Sequence, residues 1–236
     1  MEIIFEGRKF EFPNTKQIEM DDVASKLKRH LNKIVAQNEL NKNDVVIDAF
    51  AGVGFSSYLY AKQAGLVHCI EKDKEIYNYL ERNLQDLNNV QLYCANNLDI
   101  FPKLSSKGVK LVDLDPHNNF HSQLIYLPRI IGKGIVLFTS GEILGIRRGF
   151  KNTLYKCDLT KYKGKNYPLF AEEILVPYLQ ERIKELKPNL EYMYIYPSSI
   201  RLLFTVGGYS LSSNLKYLLS ELPMYLSKVK GQLKLL

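Results

Sequence analysis

Apolar and polar positions change period several times along the chain, and each change marks an element. Residues 2–12 alternate loosely, through Ile4, Phe10 and Phe12, and predict a short hairpin closed near Gly7. Over 20–34, Val23, Leu27, Leu31 and Ile34 recur at helical spacing, and Lys26, Lys28, Arg29 and Lys33 fall mostly on the other face, which reads as solvated. Residues 45–47 (Val-Val-Ile) form an apolar run without alternation, as expected of a strand buried on both faces. A glycine-bearing turn follows, then a helix over 56–64 stopped by Gly65. Further strands are predicted over 67–70, 90–95, 109–114 and 134–139. Helices between them are carried by Ile76, Leu80, Leu84 and Leu87, and by the stretch 123–131.

Strands that alternate with helices imply right-handed crossovers and a parallel sheet. The end of the chain departs from that pattern. A helix over 171–186, bent at Pro177, precedes strands over 192–196 and 200–204. Pro197-Ser198-Ser199 is too short for a crossover helix, so these two strands must be an antiparallel hairpin. The expected fold class is α/β: a mostly parallel seven-stranded sheet ending in an antiparallel hairpin. It divides into an N-terminal hairpin-and-helix extension over 1–40 and a main domain over 41–236.

Composition adds limits. At 236 residues, 46% hydrophobic and 24% charged, the chain is of ordinary globular make-up, which excludes disordered and collagen-like readings. The net charge of +7 permits a nucleic-acid partner without requiring one. Cys69, Cys94 and Cys157 are odd in number and widely spaced, which argues against a disulfide framework or a four-cysteine zinc site. The charged N-terminus lacks the apolar core of a signal peptide, and no run approaches the ~20 apolar residues of a membrane span. A reducing, cytoplasmic setting and no membrane partner are expected.

Candidate chemistry gathers at the ends of the predicted strands. Asp48-Ala-Phe50-Ala-Gly52-Val-Gly54-Phe-Ser-Ser57 places a tight glycine turn where open α/β sheets bind ligands. Serine at position 57 spoils the G-x-G-x-x-G pattern that brings a pyrophosphate to a helix N-terminus. Glu71 ends the second strand about 20 residues later, where such folds set a carboxylate on ribose hydroxyls, and Asp73 reads as the cap of the next helix. Asp113-Leu-Asp115-Pro116-His117-Asn118 ends the fourth strand.

D-x-F-x-G-x-G resembles motif I of the class I S-adenosylmethionine-dependent methyltransferases, and the rest of the chain adds to the likeness. Asp113-Leu-Asp115-Pro116 looks like the D-x-D-P-F-G segment of the tRNA guanine-N2 dimethyltransferases. Phe5-Glu6-Gly7, Glu172 to Leu175 and Tyr196 to Arg201 with Phe204 resemble further segments of that family. The resemblance implies a Rossmann-like class I methyltransferase fold with S-adenosyl-L-methionine held by Asp48, Phe50, Gly52, Gly54 and Glu71. Asn96, ending the third strand, takes the place of the family's usual acid, and its amide oxygen can accept from an adenine amino group. The implied reaction is methylation of an exocyclic base amine, foremost guanine N2 in tRNA. Asp115 accepts from the amine, Pro116 shapes the turn and His117 flanks the base, while Asp113 reads as a structural orienter.

His117-Asn118 stands where the family has Phe-Gly, the family's F-Y-N-P segment is absent, and family members continue into a C-terminal RNA-binding domain. Two alternatives therefore stand beside the first reading: an adenine-N6 methyltransferase of DNA or RNA, and a non-catalytic nucleic-acid-binding protein with the same fold. His117 and His121 lie four residues apart but lack further ligands, so no metal is expected. Over 147–167, cations and aromatics mix, with Arg147, Arg148, Lys151 and Lys163 as the expected nucleic-acid contacts. RNA ranks ahead of DNA as partner, and a protein partner supplying substrate recognition is a further expectation. Lys228, Lys230 and Lys234 read as a basic tail helix.

Overall fold

The computed structural model describes residues 1–13, 23–104, 108–116, 120–147, 159–162, 166–196, 199–222, 226–229 and 232–235. Strands β1 (Glu2–Phe5) and β2 (Arg8–Glu11) pair antiparallel across a two-residue turn. Glu6 and Gly7 have φ of 51° and 80°, the paired positive values that a twisted tight hairpin needs. Helix α1 (Val23–Glu39) continues past the predicted end because Val35 and Ala36 extend its buried face. Then come β3 (Val45–Asp48), α2 (Phe55–Ala61), β4 (Leu66–Glu71), α3 (Lys74–Leu84), β5 (Val90–Cys94) and α4 (Asn97–Ile100).

After β6 (Val109–Leu114), a 3₁₀ stretch, His121–Tyr126, leads into α5 (Leu127–Ile130) and β7 (Gly134–Ser140). Helix α6 (Glu142–Arg147) and α7 (Tyr167–Phe170) precede a π turn over Ala171–Leu175 and α8 (Val176–Arg182). The expected bent helix is thus a series of helical pieces, and Pro177 lies in the first turn of α8, where its missing N–H is tolerated. Strands β8 (Asn189–Tyr196) and β9 (Ser199–Val206) are followed by α9 (Ser213–Ser220). The basic tail is not a helix: β10 (Leu226–Val229) and β11 (Gln232–Leu235) form an antiparallel pair.

Seven strands make one sheet in the order β5-β4-β3-β6-β7-β9-β8. Only β9 among them runs against the others, pairing antiparallel with both β7 and β8. Side chains alternate across the strands, so neighbouring residues serve different layers. Val46 and Leu111 face a layer built from Leu31 and Val35 of α1, Tyr60 of α2 and Phe10 of the hairpin. Ile47 and Val112 face the opposite layer, with Phe120, Leu124, Phe170 and Leu179. No helix among the described residues is long and apolar enough to cross a membrane.

The strand order reverses between β3 and β6, and the crevice beyond the carboxyl ends of the strands at such a point is where these sheets bind ligands. In register, Asp48 of β3 lies directly beside Asp113 of β6.

Candidate active site

The glycine turn leaves β3 at this switch point. Gly52 and Gly54 both have positive φ, 55° and 100°, which side chains other than glycine adopt at a cost. Their reasons differ. A Cβ on Gly54 would stand 2.9 Å from Leu80 Cδ1, so the turn is packed against α3. A Cβ on Gly52 would meet nothing within 4 Å, so that glycine faces open volume.

Glu71, at the tip of β4, clasps the turn. One carboxylate oxygen accepts from the Gly52 N–H at 3.1 Å and the other from the Asp73 N–H at 2.9 Å. Asp73 caps α3 by accepting from Glu75 and Ile76 N–H groups at 2.9 and 3.1 Å. Each Glu71 oxygen keeps acceptor capacity beyond its single backbone bond. Gly52, Glu71 and Phe50 share a cleft of about 510 Å³ with Lys28, Asp115 and Pro116, within the range of small-molecule sites. The open face at Gly52 and the acceptors of Glu71 suit a ligand that carries ribose hydroxyls.

Behind the cleft lies a buried polar cluster. Asp113 and Arg201 are both fully buried and bond bidentately, at 2.8 and 3.0 Å. Tyr60 donates to Asp113 at 2.7 Å, and the Asn32 amide donates to it at 3.3 Å. Arg201 also donates to Thr139 Oγ1 and to Asn32 Oδ1, both at 2.7 Å. This ties α1, α2, β6, β7 and β9 together at one point. Burial and the Asp113 charge hold the Tyr60 hydroxyl well above its ordinary range.

The three aspartates of the switch point have distinct environments. Asp48 is buried and accepts from Ser57 Oγ at 2.7 Å. Burial, then the Asp113 charge, push it up to about 7 against the pull of that hydroxyl. Asp113 is consumed by its four donors. Asp115 has a side chain 16% exposed to the cleft and pairs with Lys28 Nζ at 2.5 Å. Burial pushes its carboxyl up, but the charges of Lys28 and Arg201 outweigh burial and hold it below the ordinary carboxylate range.

The structure brings Phe50, Gly52, Glu71, Asp115 and Pro116 together on this cleft. Gly54 stands behind it as a packing residue. Asp48 is not on the cleft surface: at 1% exposure it lies beneath the turn, because its Ser57 bond faces inward. Asn96 uses its side-chain oxygen to cap α4 through the Leu98 N–H at 3.1 Å. Its neighbour Asn97 is buried, donating to the Ala49 carbonyl at 3.0 Å and accepting from Gln123 at 2.8 Å.

His117, Arg148, Lys151 and Lys163 lie outside the described residues, and Arg147 is the last residue of α6. In the same cation-and-aromatic stretch, Tyr162 is no stacking platform. It is buried, packs edge-on to Phe170 and donates to Glu173 at 2.9 Å. His121 pairs with Glu142 at 2.8 Å. Sequence reasoning missed Lys28, Asn32, Tyr60 and Arg201 as site-forming residues. The available signal was polarity out of place: Arg201 stands among Ile200, Leu202, Leu203 and Phe204, and Asn32 follows Leu31 on the buried face of a helix.

Residues 26–127 match the family model described as ribosomal RNA adenine dimethylase. A curated relative, the tRNA(Phe) (4-demethylwyosine(37)-C(7)) aminocarboxypropyltransferase of Methanocaldococcus jannaschii, is 44% identical over 64 residues, covering 25% of this chain and 26% of the relative. Trm1 from Pyrococcus horikoshii, solved with S-adenosyl-L-methionine, superposes with a TM-score of 0.69 at 14% identity, over 94% of this chain and 64% of that one. TYW2 of M. jannaschii, also solved with that cofactor, superposes with a TM-score of 0.54 at 19% identity, over 87% and 84% of the two chains. The chain therefore spans about a quarter of the curated relative and under two thirds of Trm1. Its fold is that of the class I S-adenosylmethionine-dependent methyltransferases.

Proposed function

We propose that the protein is an S-adenosylmethionine-dependent RNA methyltransferase acting on an exocyclic base amine, foremost guanine N2 in tRNA. The observation that carries this reading is a single cleft. It holds the open glycine turn and Glu71 on one wall and the Asp115-Pro116 turn on another. A cofactor seat and an amine acceptor thus share one volume. The resemblance of Asp113 to Pro116 to the tRNA guanine-N2 dimethyltransferases supports the substrate class, and the superposition on Trm1 supports the fold.

When bound, the cofactor supplies an electrophilic methyl group; everything else falls to the chain. Glu71 accepts from ribose hydroxyls, and Gly52 leaves room for the ligand against the turn. Phe50 forms part of the cleft wall. An exocyclic amine is a poor nucleophile because its lone pair is delocalised into the ring. A carboxylate accepting its N–H favours the pyramidal form that can attack. Asp115, held ionised by Lys28 and Arg201, is an acceptor and not a donor at neutral pH. Pro116 fixes the backbone after it. His117 flanks the base, which is presented unstacked. Arg147, Arg148, Lys151 and Lys163 follow β7 in the sequence and are the proposed phosphate contacts.

The match to ribosomal RNA adenine dimethylase over 26–127, which includes Asp115, favours adenine N6 as the second reading. Incubating the protein with methyl-tritiated S-adenosylmethionine and bulk tRNA, ribosomal RNA or DNA, followed by nucleoside analysis, separates the readings. N2-methylguanosine is expected, and N6-methyladenosine would replace the first reading with the second. Transfer must release S-adenosylhomocysteine. Release of methylthioadenosine would instead mark aminocarboxypropyl transfer, the activity in the curated relative's name. Absence of cofactor binding by calorimetry at millimolar ligand overturns every enzymatic reading and leaves the non-catalytic one.

A further inference from the structure

The chemistry above uses Lys28 only to keep Asp115 ionised. Its ammonium meets Asp115 at 2.5 Å, with the two side chains 26% and 16% exposed, and both line the cleft. A partly exposed ion pair contributes little to stability, about 0–1 kcal/mol at most, so stability is a weak reason for this one. Nor is Lys28 carried on a loose surface helix. One turn further along α1, the buried Asn32 donates to Ser56 Oγ at 2.9 Å and to Asp113, and accepts from Arg201. Positions four apart lie on the same helix face, so the anchor at Asn32 sets where Lys28 stands.

We infer that Lys28 and Asp115 together read the amidine edge of a nucleobase, where an exocyclic amine adjoins an unprotonated ring nitrogen, making Lys28 a specificity-determining residue. Asp115 accepts from the amine, and Lys28 donates to the ring nitrogen next to it. This rests on the base-amine reading above and names what selects among amines. A carboxylate alone accepts from any N–H and attracts aliphatic ammonium groups most strongly. An adjacent ammonium reverses that preference: it repels cationic amines and offers a donor that only a neighbouring acceptor can use. Guanine N2 sits beside the acceptor N3, and adenine N6 beside the acceptor N1, so both candidate bases present the required donor-acceptor alternation. A single Asn or Gln side chain reads adenine by the same alternation from one amide group. Here it is divided between two residues, one from α1 and one from the end of β6. Carboxylate and ammonium each have capacity beyond their mutual contact, so the pair persists when the base binds.

The test is a cycle on synthetic RNA hairpins of the sequence mapped as methylated, carrying guanine or 3-deazaguanine at the target position. If adenine is the mapped base, 1-deazaadenine takes the same role. Each deaza base replaces the ring nitrogen by C–H and leaves the amine in place. For the native protein, kcat/KM should fall about 10- to 100-fold on the deaza substrate, the loss of one hydrogen bond to a charged donor. Lys28→Met should show a loss of that order on the natural base and less than about twofold further loss on the deaza base. Lys28→Arg, which keeps donors, should retain the discrimination. Cofactor affinity by calorimetry should be unchanged in Lys28→Met, which separates recognition from collapse of the cleft. If Lys28→Met loses as much on the deaza base as the native protein does, the assignment of Lys28 fails while the base-amine reading stands. If the native protein transfers nothing to any RNA, both fail together.

Discussion

Three aspartates stand within one switch point, and their surroundings divide their roles. Asp113 faces Arg201, Tyr60 and Asn32 and has nothing to offer a substrate. Asp115 has cleft exposure and a charge partner that keeps it ionised. Asp115→Asn should lower methyl transfer at least about 100-fold while cofactor affinity by calorimetry changes less than twofold. Equal loss of both would contradict the amine-acceptor role. Asp48 responds to pH in the opposite sense to a salt-bridged carboxylate. Its folded pKa, about 7, lies above the ordinary unfolded value near 4, so the folded state binds the extra proton. Stability contributed by that proton is present below about pH 4 and is lost as pH rises to about 7. Asp48→Asn, which cannot ionise, should therefore gain in melting temperature relative to the native protein as pH rises from about 4 to 7, by about 2–4 °C for each kcal/mol. A difference that is flat across that range would refute the assignment. Gly54→Ala should destabilise by about 1–3 kcal/mol in urea unfolding, because its Cβ meets Leu80 at a positive φ.

At the scale of elements, the buried cluster is what places the site. Arg201 comes from β9, the strand that runs against the rest of the sheet, and reaches Asp113 on β6 and Asn32 on α1. Breaking the pair by Arg201→Met should cost about 3–5 kcal/mol, since Asp113 would be left buried without its counter-charge. Chemical unfolding measures this, and a cost below about 1 kcal/mol would show that the cluster does not hold the elements. The N-terminal hairpin is joined to the glycine turn in a comparable way. Phe10 stacks on Phe55 with ring centroids 4.6 Å apart, and Asn83 donates to both the Glu11 and Val53 carbonyls, at 2.8 and 2.9 Å. Phe10→Ala should therefore weaken cofactor binding as well as stability, although Phe10 is no part of the cleft wall.

For the molecule as a whole, the charge of +7 is a statement about partners and not about fold. If RNA is the substrate, its affinity by fluorescence anisotropy should fall linearly on a log-log scale between about 50 and 200 mM salt, as counterion release requires. Salt-independent binding would remove the phosphate contacts from the proposal.

Most of the architecture was legible in the chain because each part depends on local periodicity. Val45 to Ile47 announced a strand buried on both faces, and the short Pro197-Ser198-Ser199 connection required the antiparallel end of the sheet. The glycine turn, Glu71 and the Asp115-Pro116 turn were legible because their spacing lies within single strand-to-helix units. Burial and partnership were not legible. Nothing local distinguishes Asp48, turned inward onto Ser57, from Asp115, turned to the cleft. Lys28 read as one of several lysines on a solvated face, yet it meets a carboxylate far away in the chain, at position 115. Sequence by itself determined the succession of the seven sheet strands and the residue types at their ends, because these follow from periods of two and three to four residues. Only the tertiary structure decided which aspartate is available and which lysine attends it, because a charge takes its role from neighbours that the fold, and not the chain, puts beside it.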